Sequence, residues 1–259
     1  MTFNIPKVER TSIINKFKRH LLDTVILRID FADIFDAKEL ASKCVSVLAK
    51  EYPLREEENE ELVRLAEFSI IPVKKMVSYI IKNPDTNNYI KINPTCLVFE
   101  YKKYQGFENL ISVFNKIFSL YNNFFPDNNI LRLGLRKISF FDQEESSKLE
   151  TFKNYFNDFL TANLSQNYFG VSLIQNMHNY VIKGSENDKY DISFKSGTLK
   201  LTKNEISTRR FVLDIDGFAT KDLEPNNLVE RIIEINDKMF DIFYWSIGEK
   251  MKEWMQNDK

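Results

Sequence analysis

Glycine is scarce in this chain of 259 residues: there are 7, scattered singly along its length. A phosphate-cradling loop needs glycines at fixed close spacing so that backbone N–H groups converge on the anion, and no such loop can be built here. The Gly-x-Ser-x-Gly turn that presents a hydrolase nucleophile is absent too. Proline is equally rare, at 7, which leaves no room for a flexible linker or a low-complexity tail. His20 and His178 are the only histidines, and neither has a partner at zinc-ligand spacing. A Ser–His–Asp or Cys–His site would have to use one of them, whereas a lone histidine on a strand is ordinarily a satisfied polar group. The two cysteines, Cys44 and Cys96, stand far apart in apolar surroundings and read as buried free thiols of a reducing compartment. No excess of either charge exists: 36 basic residues face 37 acidic ones, a net of −1. That balance argues against a bulk nucleic-acid binder and leaves room only for a local basic patch. No apolar run is long enough to span a bilayer, and Met1–Pro6 lacks the charged-then-apolar build of a signal peptide. These absences lead us to expect a soluble cytoplasmic protein with no membrane partner and no cofactor.

What the chain does have is core. It is 43% hydrophobic and 14% aromatic, with 22 Phe and 11 Tyr, the composition of a globular protein. Leu22–Phe31 alternates, with Val25, Leu27, Ile29 and Phe31 on one face, as a half-buried strand does. Asp36 followed by Glu39 is a capping box, opening a helix whose apolar stripe is Ala37, Leu40, Ala41, Cys44, Val47 and Leu48. The acidic run Glu56–Glu61 reads as a solvated connection. Strands follow near 62–70, 75–82 and 96–103, with a further one at 89–93, divided by Pro72 and Asn83-Pro84-Asp85. Phe107 to Tyr121 carries a helical aromatic stripe, and 130–141 alternates again as a strand. A second capping box, Ser147 to Glu150, introduces a helix with Leu149, Phe152, Phe156, Phe159 and Leu160 on one side. Strands are expected at 168–183, 189–202 and 208–220, then the longest helix from Asn227 to Met255. Strands and helices do not alternate strictly, so the expected class is α+β with largely antiparallel sheets. The expected organisation is two intimately packed halves, 1–145 and 146–259, forming one compact unit with a long C-terminal helix.

The most informative stretch is Ile130–Phe141. Its alternation sets Arg132, Gly134 and Arg136 on one face and Leu131, Leu133 and Leu135 on the other. Two guanidiniums in so apolar a strand need acceptors, and Asp214 and Asp216, alternating in the same way, are the best candidates. Read structurally, Arg132, Arg136, Asp214 and Asp216 form a charge network. Read functionally, the arginines bind a nucleotide or nucleic-acid phosphate. The structural reading is preferred because each charge has a partner of opposite sign. A metal-dependent nuclease is a further alternative: Pro84-Asp85 followed by Glu100-Tyr-Lys102 has the spacing of the PD-(D/E)xK core, in which two carboxylates hold Mg²⁺. Pro84-Asp85 reads as naturally as a turn. The terminal helix is apolar over a wide arc, which marks Phe240, Phe243, Ile247, Met251 and Trp254 as a candidate interface with a protein partner or a second copy in a homodimer.

Four patches in order are Leu22-x-x-Val25-x-Leu27-x-Ile29-x-Phe31, Tyr104-x-x-Phe107-x-x-Leu110, Arg132-Leu-Gly134-Leu-Arg136-Lys-Ile138, and Leu213-Asp214-Ile-Asp216 with a following helix that carries Phe240, Ile247, Glu249, Met251, Trp254 and Met255. In these the chain resembles a sporadically distributed family of uncharacterised prokaryotic proteins of about 250 residues, over most of its length. Lys137 and Ser139 stand where that family usually shows Tyr and Asn. The resemblance implies no catalytic residue; its patchy occurrence implies genes that travel with mobile or antiviral-defence loci. The expected function is therefore non-catalytic binding or assembly through protein–protein contacts.

Overall fold

The computed structural model describes residues 5–66, 69–144, 149–165, 175–184, 189–203 and 206–257. Six α-helices occur among them: α1 (Arg10–Ile14), α2 (Ala37–Leu48), α3 (Phe107–Phe124), α4 (Asp158–Thr161), α5 (Leu228–Ser246) and α6 (Glu249–Gln256). The strands are β1 (Leu22–Phe31), β2 (Leu54–Ala66), β3 (Ser69–Lys82), β4 (Tyr89–Asn93), β5 (Cys96–Tyr101), β6 (Ile130–Glu144), β7 (Gln175–Lys183), β8 (Asp191–Lys203) and β9 (Ile206–Ala219). They form a nine-stranded antiparallel sheet in the order β2-β3-β4-β5-β1-β6-β9-β8-β7, so the class is α+β. No described helix is long and apolar enough to cross a membrane.

The chain divides into two compact units, neither continuous in sequence. One comprises Thr24–Leu135 and Ala219–Val229. In it, α2 packs on α3, β3 and β4, and Val25, Leu27, Ile29 and Phe31 of β1 are buried as their alternation requires. Asp36 caps α2 by accepting from Glu39 N at 2.9 Å. The core is aromatic: Phe31 stacks on Tyr121 at 4.1 Å, Phe35 meets Tyr121 edge-on, and Phe114 lies parallel to Phe118. The buried stripe of α2 uses Val45, while Val47 is 48% exposed. Val45 and Val47 flank the line through Ala37, Leu40, Ala41, Cys44 and Leu48 on opposite sides at similar angles, and only the side that carries Val45 is covered, which corrects the expected membership.

The acidic run is also corrected: Glu56–Glu61 lies within β2, not in a connection, with Glu56 opposite Ile80, Glu57 opposite Tyr79 and Glu58 opposite Ser78. Strand pairing uses backbone groups, so a polar sequence is no obstacle where its side chains reach water or a cation. Glu58 finds Lys91 at 2.7 Å.

The other unit comprises Met1–Asp23, Arg136–Phe218 and Glu230–Lys259. Two expected helices are each interrupted here, and at each other. Phe156 bridges to Ile247, with Asn157 N donating to Ser246 O at 2.9 Å and Gly248 N to Tyr155 O at 2.8 Å. The stretch expected as one helix over 149–160 is instead a 3-10 turn at Leu149–Asn154 followed by α4, where the Asn157 side chain accepts from Phe159 N at 2.9 Å. The expected helix from 227 to 255 is likewise split into α5 and α6. Backbone groups committed to the cross-bridge cannot also serve a helical ladder, so both helices stop there. The capping residue Ser147 and residues 168–174 of the expected strand lie outside the described residues.

Candidate functional site

In the first unit, the open face of the sheet is a lattice of ion pairs. Arg28 bonds Asp30 at 2.8 Å, and Arg132 Nη1 lies 3.9 Å from the other Asp30 oxygen. The Arg132 guanidinium lies over Gly134, where a Cβ would come within 2.8 Å of it. Glu100 is held from two sides, accepting from Tyr89 Oη and from Lys102 Nζ at 2.9 Å. Burial, followed by the Glu100 carboxylate, drives the Tyr89 hydroxyl well above its ordinary range. Lys102 also donates to Thr24 Oγ1 at 3.1 Å. Asp85 sits in a turn in which Asn83 Oδ1 accepts from its N–H. A divalent ion at Glu100 would have to displace the tyrosine and the lysine together. No group of three potential metal ligands occurs among the described residues.

In the second unit, Arg136 grips Asp214 with two parallel hydrogen bonds, Nε to Oδ1 at 2.8 Å and Nη2 to Oδ2 at 2.7 Å. The Asp214 bond, with further help from Asp214 and Asp216 charge, raises the guanidinium above its ordinary range. Arg210 forms the same fork with Asp142 and lies over the Phe140 ring at 4.3 Å. Asp214 is only 12% exposed in its side chain, so a phosphate at Arg136 would strand a largely buried carboxylate. Arg136→Ala is therefore expected to lower stability by about 1.5–3 kcal/mol, the range for a lost charged hydrogen-bond pair. Chemical denaturation of the variant beside Asp214→Asn and the double variant measures it, and the double variant should lose less than the sum.

Of the candidate interface residues, Phe240, Ile247 and Met251 are buried within the chain, while Phe243 and Trp254 are half-buried. Trp254 meets Phe141 at 5.7 Å and carries the Arg19 guanidinium over its ring.

Two features went unmarked in the sequence. The first is Lys137. It continues the Leu133 and Leu135 face of β6, the apolar one, and its amine donates to Asn236 of α5, a residue with no exposed surface. Burial, reinforced by the Arg10 charge and opposed by Asp237, pushes this amine down to about 7. A lysine extending an apolar alternation was the available signal. The second is a cleft of about 300 Å³ beside β7, lined by Ile5, Tyr180, Ile182, Phe194 and Trp245. Phe159, 39% exposed, stands against both Tyr180 and Trp245. β7 ends the strand order, and Val181 and Met177 are 64% and 37% exposed on it.

No family model and no curated protein matches the chain. The functional reading therefore stands on geometry. The paired guanidiniums and the doubly held Glu100 are engaged with their own chain. The cleft beside β7 presents apolar surface and an adjoining strand edge together.

Proposed function

We propose that this is a non-catalytic binding protein that takes an extended segment of another protein against β7. What supports the reading is the position of β7 at the end of the strand order, with exposed Val181 and Met177 at alternate positions and an aromatic cleft at its flank. A strand edge offers unpaired backbone groups in register, and a cleft beside it holds one bulky side chain of the added strand. Charge narrows the occupant. β7 contains no acidic residue; Lys183, Lys195 and Lys200 around it are exposed. A segment that alternates apolar with acidic residues fits this surface. The resemblance to a patchily occurring prokaryotic family extends the proposal to a component of a mobile or defence locus.

The test is selection from a displayed library of random peptides, about ten residues long, the span of a full strand. Enriched peptides should alternate apolar and acidic residues, and should lose at least about tenfold in affinity against Val181→Lys, which places a charge on the edge. Trp245→Ala should weaken them through the cleft. Enriched peptides that bind Val181→Lys and Trp245→Ala unchanged would exclude this surface. Self-association that competes with the peptides would make the partner a second copy of this chain.

A further inference from the structure

The N-terminal arm runs along α5 in the opposite direction. Ile5 lines the cleft with Trp245, Val8 N donates to Asp241 Oδ1 at 2.9 Å, and Arg10 Nε donates to Asp237 Oδ1 at 2.8 Å. Further on, the N–H groups of Lys18 and Arg19 both donate to Met255 O of α6, so the arm is anchored downstream. The amine of Lys137 lies beside Asn236, the residue preceding Asp237. We propose that residues 5–15 form a strap that closes one end of the cleft beside β7, and that a proton taken up by Lys137 releases it.

The charges around Lys137 define the device. From α1 comes Arg10, which repels an ammonium; from α5 comes Asp237, which attracts it. Asp241 of α5 is 6% exposed and accepts from the strap itself, while Glu234 pairs with Arg231 one turn along. Asp214 and Asp216 of β9 act on Arg136, and Asp23 of β1 acts on Arg210, so these acids serve other cations. A neutral Lys137 leaves Asp237 to Arg10 and the strap stays down. A charged Lys137 repels Arg10, competes for the same carboxylate, and is poorly hydrated where it lies. Opening relieves all three, and Ile5 leaves the cleft. Because burial and Arg10 hold the amine down to about 7 under the closed strap and opening lets it return toward 10.5, release is favoured progressively as pH falls toward 7 and gains nothing further below it.

The inference rests on the cleft being the binding site, but its primary readout requires no peptide. Hydrogen exchange over residues 5–15, corrected for intrinsic rates, is followed from about pH 5.5 to about pH 8.5. Protection of the Val8 amide should fall about tenfold per pH unit from about pH 8.5 down to about pH 7 in the native protein, as expected for coupling to one proton, and level off below about pH 7, where the closed form is protonated as well. It should stay level in Lys137→Met, and be low at every pH in Arg10→Gln. An identical fall in Lys137→Met, or a profile in the native protein that is level above about pH 7 as well as below it, overturns the strap. Release with no displayed peptide bound by β7 overturns the binding reading alone. Release with peptide affinity unchanged across the transition overturns the gating of the cleft.

Discussion

Gly217→Val is expected to destabilise the protein by about 3 kcal/mol, the upper part of the range for overfilling a packed core. A Cβ at this position would collide with Ile235 Cγ2 and stand 3.4 Å from the Met239 sulfur. Ile235 and Met239 lie one turn apart on α5, have essentially no exposed surface, and cannot move without lifting the helix from β9. The glycine therefore sets how closely α5 approaches the strand. Denaturation midpoints in urea measure the effect. Gly217→Ala should lose less than the valine variant, because alanine adds the first colliding atom and valine two more. An alanine variant as stable as the native protein would mean that α5 does not sit this close.

Lys137→Met is expected to stabilise the protein at neutral pH by a few kcal/mol and to flatten its dependence on pH. The sign follows from linkage. In the unfolded chain the amine holds its proton up to about 10.5, whereas in the fold burial pushes that point down to about 7. Between these values the unfolded state binds more protons, so stability rises with pH across the window. The cost of the lysine is complete below about pH 7 and fades toward pH 10. Each factor of ten in proton affinity corresponds to about 1.4 kcal/mol, and the lost hydrogen bond to Asn236 Oδ1 offsets part of the gain. Tyr89, Tyr101 and Tyr121 bound the window from above. Burial raises all three hydroxyls, so their unfolded forms ionise first and stability falls again beyond about pH 10. Thermal unfolding of both proteins from about pH 6 to about pH 10 separates them. Equal slopes would mean that Lys137 reaches water in the folded state.

A lysine that lowers stability invites a role for its proton. Arg10, Asp237 and Lys137 come from three segments distant in sequence, and only Lys137 continues the strand face that carries the buried Leu133 and Leu135. A replacement that stabilises the protein and also abolishes pH-dependent exchange in the strap would join the thermodynamic cost to the proposed release.

Local pattern carried much of the architecture. The bounds of β1 match the expected strand at Leu22–Phe31, the Asp36 cap opens α2 where the capping box places it, and α3 begins at Phe107 as its stripe requires. In each case alternation or helical spacing and a terminating signal agree, and both are properties of neighbouring residues. Glu56–Glu61 misled because charge reports solvent exposure, and an exposed strand is as solvated as a loop. Candidate residues fared by the same rule. Arg136 could be marked as needing an acceptor from its place in an apolar strand, and Asp214 was legible as a carboxylate on a matching alternation. Lys137 was legible only in hindsight, because the apolar alternation of Leu131, Leu133 and Leu135 was not carried two residues further.

The amino-acid order by itself determined the alternation of β1 and β6, the Asp36 cap and the aromatic stripe of α3. It could not determine where the helices after Leu149 and Leu228 break, since each is stopped by hydrogen bonds to the other across some ninety residues. Nor could it place Ile5 against Trp245 or Arg10 between Lys137 and Asp237. Those juxtapositions come from packing between segments remote in the chain, and burial and charge at a point in space depend on every segment that arrives there.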